Sequence, residues 1–76
     1  MKELIEYIAK QIVNDPDKVV VTEEPDERGG ISLKLQVADD DKGRVIGKQG
    51  RIAQAMRSIL RVKAAKDGTR ANLEIL

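Results

Sequence analysis

The sequence predicts a small α+β domain with the element order helix, strand, strand, helix, helix, strand. Apolar residues recur at helical spacing in residues 1–13 and 51–65, which is typical of amphipathic helices. In residues 31–37 they alternate with polar residues, which is typical of a strand with one buried face. Gly47 and Gly50 lie between two helical segments and predict a short corner. We therefore expect helices and strands to share one core.

The composition limits how this core can be stabilised. A chain of 76 residues buries only about 60% of the surface that its unfolded form exposes, so its stability should be small. Without Cys or His it can form neither disulfides nor zinc sites built from those ligands, and we expect no cofactor. No apolar run approaches the roughly 20 residues that span a bilayer, and Glu3 and Glu6 argue against a signal peptide. These features predict a soluble, unprocessed, cytoplasmic protein.

An amphipathic helix is predicted at the start of the chain. Its apolar side chains share one stripe, with Val13 at the edge, and are Leu4, Ile5, Ile8 and Ile12. The helix should end at Asn14-Asp15-Pro16, because proline lacks the N–H that a continuing helix needs and disfavours helical backbone in the residue before it.

A β-hairpin is predicted next. Residues 18–23 are rich in β-branched side chains, which favours a strand. Residues 24–30 contain the Pro, Asp and paired Gly of a turn. The second strand alternates most clearly, and its apolar face carries Ile31, Leu33, Leu35 and Val37. This face must be covered, and the first helix is available to cover it.

Three consecutive aspartates, Asp39, Asp40 and Asp41, precede the next helical segment. A magnesium site is disfavoured, because consecutive residues rarely converge on one ion and no spaced acidic partner follows. Capping of the following helix is the simpler interpretation, since aspartate accepts hydrogen bonds from the first free N–H groups and suits the positive end of the helix dipole. In that short helix we expect Val45 and Ile46 to face inward.

A longer helix should run from after Gly50 to about Ala65. Helical spacing predicts that its buried stripe consists of Ile52, Met56, Ile59 and Leu60. Gly68 stands where a helix end often needs a left-handed residue. Residues 70–76 then alternate, and the apolar face of this last strand carries Ala71, Leu73 and Ile75.

Charge is distributed unevenly along the chain. Residues 1–41 hold five basic and eleven acidic side chains, net −6, whereas residues 42–76 hold nine basic and two acidic ones, net +7. From Lys42 to Lys66 there are eight Lys or Arg residues and no carboxylate. A solvated basic helix is one explanation. In a chain whose net charge is only +1, a long segment whose charged side chains are all positive favours a polyanionic ligand.

The corner between the two helices favours a nucleic-acid backbone as that ligand. Gly47 and Gly50 carry no side chain, so peptide N–H groups between them and at the start of the next helix can approach phosphate oxygens. Lys48 and Arg51 add positive charge at the same place.

The segment Gly43-Arg44-Val45-Ile46-Gly47-Lys48-Gln49-Gly50-Arg51-Ile52 resembles the core signature of a KH domain, in which an Ile-Gly-x-x-Gly corner joins two helices. The element order resembles the type II, prokaryotic arrangement over essentially the whole chain. The resemblance implies one KH domain over residues 1–76, with a three-stranded sheet and three helices packed on one face. At this length the chain is similar to the bacterial stand-alone KH proteins, which are small cytoplasmic, RNA-chaperone-like regulators.

The resemblance also implies a ligand and a site. KH domains hold about four single-stranded nucleotides, and the Gly-x-x-Gly loop clamps the backbone. On this basis the predicted RNA-binding residues are Arg44, Val45, Ile46, Gly47, Lys48, Gln49, Gly50, Arg51, Ile52 and Ala53. Val45, Ile46 and either Ile52 or Ala53 are candidates for the floor of an apolar groove. Many KH domains carry a larger aliphatic residue at the position of Ala53.

Two other functions compete with RNA binding. A nucleotide-using enzyme is disfavoured, because the segment from Gly43 to Gln49 has neither the glycine spacing of a P-loop nor a Ser or Thr after the Lys. A protein-interaction module with a KH fold and little RNA binding of its own is the alternative. An acidic or disrupted loop would favour it, and Lys48-Gln49 is neither.

Partners follow from the weak binding expected of a single small domain. One domain that neutralises few phosphates should bind RNA weakly, and pairing would strengthen it. We therefore expect a homodimer or a heterodimer with a second KH protein, as the resemblance also implies, and no membrane partner.

Overall fold

Three helices and three strands follow one another in the predicted order. The computed structural model describes all 76 residues. The elements are α1 (Lys2–Ile12), β1 (Val20–Pro25), β2 (Ile31–Gln36), α2 (Lys42–Ile46), α3 (Arg51–Lys66) and β3 (Ala71–Ile75), with short 3₁₀ turns at Pro16–Lys18, Asp39–Asp41 and Lys48–Gly50. None of the helices has the length and apolarity needed to cross a membrane.

The strands form one mixed sheet in the order β1-β2-β3. β1 and β2 make the predicted antiparallel hairpin, in which Val21 pairs with Leu35. β3 pairs with β2 in parallel, with Leu73 opposite Leu33. A parallel neighbour requires a long crossover connection, and α2 with α3 supplies it. β1 and β3 are therefore the edge strands.

The helices cover the apolar face of this sheet, which confirms the predicted α+β architecture. The core consists of twelve buried residues drawn from all three helices, all three strands and the connections between them: Ile5, Ala9, Val13, Val19, Val21, Leu33, Leu35, Val37, Val45, Met56, Leu60 and Leu73. The other face of the sheet carries polar side chains, among them the ion pair of Lys34 with Glu24 at 3.6 Å. Burial on one face only explains the strict alternation along β2.

The capping role predicted for Asp39, Asp40 and Asp41 is wrong, because none of their side chains caps the following helix. Asp41 turns inward instead and is only 1% exposed. Its Oδ1 accepts a hydrogen bond from the backbone N–H of Asn14 at 3.1 Å, and its Oδ2 accepts one from that of Asp15 at 3.2 Å. The carboxylate therefore joins the end of α1 to the start of α2.

A cation completes this junction. Arg44 Nε lies 3.5 Å from Asp41 Oδ1. With the Asn14 amide oriented to satisfy both groups, its oxygen accepts a hydrogen bond from Arg44 Nη2 at 3.0 Å. A buried carboxylate that accepts two backbone hydrogen bonds and faces an arginine has its desolvation largely offset.

Two side chains predicted to be buried are exposed. Ile46 is 41% exposed and Ile59 is 46% exposed. Ile46 follows the buried Val45, so it points about 100° away from the core direction on a 3.6-residue helix. α3 contacts the core through Met56 and Leu60 together with two alanines outside the predicted stripe, Ala53 and Ala64. This arrangement leaves Ile59 on the flank of the helix.

Replacing Asp41 with Ala should destabilise the fold. Two backbone N–H groups would lose a charged acceptor and Arg44 would lose its partner, so we expect the free energy of unfolding to fall by about 2 to 3 kcal/mol. In a domain of this size that lowers the melting temperature by roughly 10 °C or more, measurable by circular dichroism. Asp40 is exposed and forms no ion pair, so Asp40→Ala is the control and should change stability by less than about 0.5 kcal/mol. Equal melting temperatures for the two variants would contradict the role of Asp41 as a stabilising buried hydrogen-bond acceptor.

Candidate nucleic-acid interface

The corner between α2 and α3 is a tight backbone loop that depends on its two glycines. Gly47 ends α2 with φ 76° and ψ 173°. This combination is essentially restricted to glycine. Gln49 and Gly50 follow with φ values of 56° and 73°. The Gly47 N–H donates to the Gly43 carbonyl at 2.9 Å, and the Gly50 N–H donates to the Gly47 carbonyl at 3.1 Å. The chain therefore reverses within four residues.

Gly47 and Gly50 serve different purposes. A Cβ on Gly47 would lie 2.7 Å from Ile52 Cγ1, so the absence of a side chain lets Ile52 pack directly against the corner. A Cβ on Gly50 would meet no atom within 4 Å. The space beside Gly50 is therefore open to a ligand. Ile52 itself is half-buried and packs on the core, so it fixes the loop rather than forming the surface.

The loop side chains between and after the glycines point into solvent. Lys48, Gln49 and Arg51 are all exposed. Arg51 Nη2 donates a hydrogen bond to Gln49 Oε1 at 3.4 Å. Neither Lys48 nor Arg51 has a carboxylate within 4.0 Å. Both charges are therefore available to an anion that reaches the loop.

An open groove of about 700 Å³ begins at this loop and lies between α3 and β3. Ile46, Gly50 and Ala53 line its loop end, so the exposed Ile46 supplies an apolar surface to the groove. Ala53 is almost completely buried, and its small side chain leaves the groove room that a larger aliphatic residue would fill. β3 is an edge strand, so one side of its backbone has N–H and C=O groups without a strand partner.

Two of the predicted residues contribute differently from the expectation. Val45 is fully buried in the core, so its side chain offers no surface to a ligand. Arg44 is half-exposed, but its Nε faces the buried carboxylate of Asp41. These two residues hold α2 in place. The surface at the loop is instead formed by Ile46, Lys48 and Gln49 and by the open space beside Gly50.

The structure adds groove residues that the sequence prediction missed. They come from α3 and from both strands that border the groove, and are Ser32, Gln54, Arg57, Asn72, Leu73, Glu74 and Ile75. Arg57 Nε donates to the Leu73 carbonyl at 3.3 Å and so bridges helix and strand. Helical spacing could have identified Arg57, which lies four residues after Ala53. The strand residues gave no local signal, because only the parallel pairing brings β3 to α3.

The basic residues of the second half divide into two groups. Three of the eight between Lys42 and Lys66 pair with aspartates: Lys42 with Asp39, Arg44 with Asp41, and Lys63 with Asp67. The other five have no carboxylate within 4.0 Å and are Lys48, Arg51, Arg57, Arg61 and Lys66. Uncompensated cations beside a groove produce a positive potential, which attracts a polyanion.

Comparison with known proteins agrees with this geometry. A family model described as KhpA/KhpB, KH domain, matches residues 2–75. The chain is 49% identical over 76 residues to the RNA-binding protein KhpA of Clostridium acetobutylicum, with 100% of each chain covered. It is 49% identical over 75 residues to the RNA-binding protein KhpA of Treponema pallidum, with 99% of this chain and 92% of that protein covered. The RNA-binding protein KhpA of Listeria monocytogenes is 43% identical, with 100% and 99% covered. No solved structure matches the chain.

The two loop glycines should respond differently to substitution by Ala. Gly47→Ala combines a glycine-only backbone with a clash against Ile52, so we expect a loss of about 3 kcal/mol or more in the free energy of unfolding. Gly50→Ala meets open space and has only the left-handed backbone to accommodate, which costs about 1 to 2 kcal/mol. Urea unfolding measures both. The loop geometry would be contradicted if Gly50→Ala were the more damaging change.

Proposed function

This chain belongs to the KhpA/KhpB family of KH domains, and from that premise we propose that it binds single-stranded RNA in the groove between α3 and β3. Residues 1–76 would act as one KH domain holding about four nucleotides. The observation that carries the proposal is the Gly47 to Gly50 corner, which opens onto this groove with two uncompensated cations beside it. The family is one of RNA-binding domains and not of enzymes.

The loop would hold the phosphate backbone. Open space beside Gly50 allows the RNA strand to approach the peptide backbone closely, and charge from Lys48 and Arg51 reaches the same phosphates. Gln49 adds an amide that can donate to a phosphate oxygen, although in the free protein its carbonyl accepts from Arg51. Most of the binding energy should therefore be electrostatic, and salt should weaken it.

The bases would lie against the aliphatic and polar walls of the groove. The chain has no Phe or Trp and one Tyr, so it cannot use the aromatic stacking on which RRM and OB folds depend. Ile46 offers apolar contact at the loop end, and the small, buried Ala53 leaves room for a base beside it. Asn72 and Glu74 offer hydrogen-bonding groups on the strand side, where base edges can be recognised.

We also propose a cellular setting and a partner. A weak binder of short single-stranded segments suits a post-transcriptional regulator or RNA chaperone in the cytoplasm. Weak sites gain strength when they are joined, so a second KH domain, either another copy of this chain or a related protein, would raise the effective affinity. α3 offers a surface for it away from the groove, because Ile59 and Val62 are 46% and 63% exposed on the opposite flank.

The double variant Lys48→Asp/Gln49→Asp should fold normally and lose RNA binding. Both side chains are exposed, so stability should be nearly unchanged, while two negative charges would face the phosphates. Fluorescence anisotropy with short single-stranded RNAs at two salt concentrations should show native binding that weakens with salt and at least about a 100-fold loss in the variant.

A charge-matched control distinguishes the effect of the loop on RNA binding from the effect of a lower net charge. Gln11 and Lys18 are exposed and do not line the groove; they lie at the end of α1 and in the turn after it. Gln11→Asp/Lys18→Asp changes the net charge by the same amount and should keep binding within a few-fold of native. Equal binding by the native protein and the loop variant would rule the loop out as the clamp.

Self-association is tested separately by sedimentation velocity over a range of protein concentrations. If another copy of this chain is the partner, the native protein should form a dimer as concentration rises. Ile59→Ser/Val62→Ser should shift the equilibrium towards monomer by about tenfold or more, because it removes exposed apolar surface. A monomer at all concentrations would exclude the homodimer and leave a second KH protein as the partner to seek.

A further inference from the structure

The groove at the loop is the first part of a longer trough along α3 and β3. A second cleft of about 170 Å³ adjoins it and shares Arg57, Asn72 and Leu73 with it. A third cleft of about 320 Å³ follows and shares Arg61 and Ala71 with the second. The three clefts therefore form one continuous depression that extends from the loop to the C-terminal end of α3.

The direction of the two elements explains this continuity. β3 returns beside α3 after the turn that follows Lys66, so the start of the strand lies near the end of the helix. From Gly50 to Ala65 the helix advances about 22 Å at 1.5 Å per residue. Because β3 is an edge strand, no further strand covers the trough on its outer side. The depression is therefore open on that side, and Arg57 bridges α3 and β3 where the first and second clefts meet.

The far part of the trough is positively charged without any carboxylate in its walls. The charged residues that line its two clefts are Arg57, Arg61 and Arg70, and every other lining residue is apolar or neutral. Arg61 and Arg70 are exposed and form no ion pair. Arg70 Nη2 donates to the Arg28 carbonyl at 3.4 Å, which leaves its other N–H donors available.

The floor of this far part also suits nucleotides. Ala65 is exposed and Ala71 is half-buried, so both offer small apolar contacts against which a sugar or base can lie, and Leu60 and Ala64 are buried beneath them. Arginines on both sides can reach the phosphates that border such a surface, since their fork geometry matches phosphate oxygens. The same arrangement of apolar floor and flanking cations occurs at the loop end of the trough.

From this continuity we propose that the trough is an extended single-strand track, in which Arg61 and Arg70 bind the phosphates of nucleotides that lie beyond those held at the loop. The proposal rests on the RNA-binding function proposed above and adds a second segment to that site. In this proposal the far part of the trough binds the continuation of the same RNA strand that is held at the loop. RNA longer than four nucleotides should therefore bind more tightly than a tetranucleotide.

The test compares a single-stranded tetranucleotide with an octanucleotide of the same repeating sequence by fluorescence anisotropy. Three proteins are titrated: native, Arg61→Ala/Arg70→Ala, and Lys2→Ala/Lys18→Ala as the charge-matched control. Lys2 and Lys18 are exposed, form no ion pair and lie on the β1 side of the domain. An octanucleotide offers more binding registers than a tetranucleotide, but this statistical gain is the same for all three proteins.

We expect Arg61→Ala/Arg70→Ala to bind the tetranucleotide as the native protein does and to bind the octanucleotide about tenfold or more weakly than native. For the octanucleotide, the slope of log affinity against log salt should also become shallower by about 1.4, since each phosphate of a single strand that is no longer neutralised reduces the slope by about 0.7. The Lys2→Ala/Lys18→Ala variant should match native on both RNAs. Arg61→Gln alone should show about half of the slope change, and because Arg61 is exposed it provides a second variant whose fold is undisturbed.

Each contrary outcome has a distinct meaning. If native protein binds the tetranucleotide and the arginine variant keeps the full octanucleotide affinity and slope, the extended track is wrong and the loop site remains. If the lysine control loses as much as the arginine variant, general charge accounts for the effect and the track is again wrong. If native protein binds neither RNA, the proposed function itself fails, and the track fails with it.

Discussion

The packing of Ile52 against Gly47 is the constraint that positions the candidate site. Because Gly47 has no Cβ, Ile52 packs against its backbone, and α3 starts in a fixed direction immediately after α2. That direction places the loop at one end of the trough and aligns α3 with the edge strand β3. A side chain at Gly47 would push the two helices apart. The same residue thus sets the shape of the loop and the position of the groove.

The acidic and basic residues of the chain have separate tasks. Asp41 is buried and joins the end of α1 to the start of α2, with Arg44 as its counterion. Other aspartates pair with Lys42 and Lys63, away from the groove. Lys48 and Arg51 at the loop and the trough arginines, Arg57, Arg61 and Arg70, have no carboxylate within 4.0 Å. A net charge of +1 therefore hides a concentrated positive surface, because Glu74 is the only acidic side chain that lines the groove and the other acidic residues are in the first half of the chain and at the end of α3.

The scarcity of aromatic side chains shapes both the core and the ligand site, because Tyr7 is the only one and is exposed. The core is built from Ile, Leu, Val, Ala and a Met, and small alanines at Ala9, Ala53 and Ala64 let the helices approach closely. Without stacking platforms, recognition must use backbone approach, charge and aliphatic contact. Such interactions are individually weak, so extension along a trough and pairing of domains are two physically distinct ways to raise affinity.

Local patterns of spacing and residue type were enough to predict the element order, the apolar faces of the strands and the corner at Gly47 and Gly50. The sequence also shows directly that the charged residues from Lys42 to Lys66 are all basic. The KH signature also identified the loop residues Lys48, Gln49 and Arg51. The tertiary structure was needed to show that Asp41 does not cap a helix. Its buried carboxylate accepts hydrogen bonds from the backbone of Asn14 and Asp15, which are distant from it in sequence. It was also needed for the exposure of Ile46 and Ile59 and for the strand side of the groove. These features depend on which faces of α2 and α3 meet the sheet and on the parallel pairing of β3, and no local pattern encodes either.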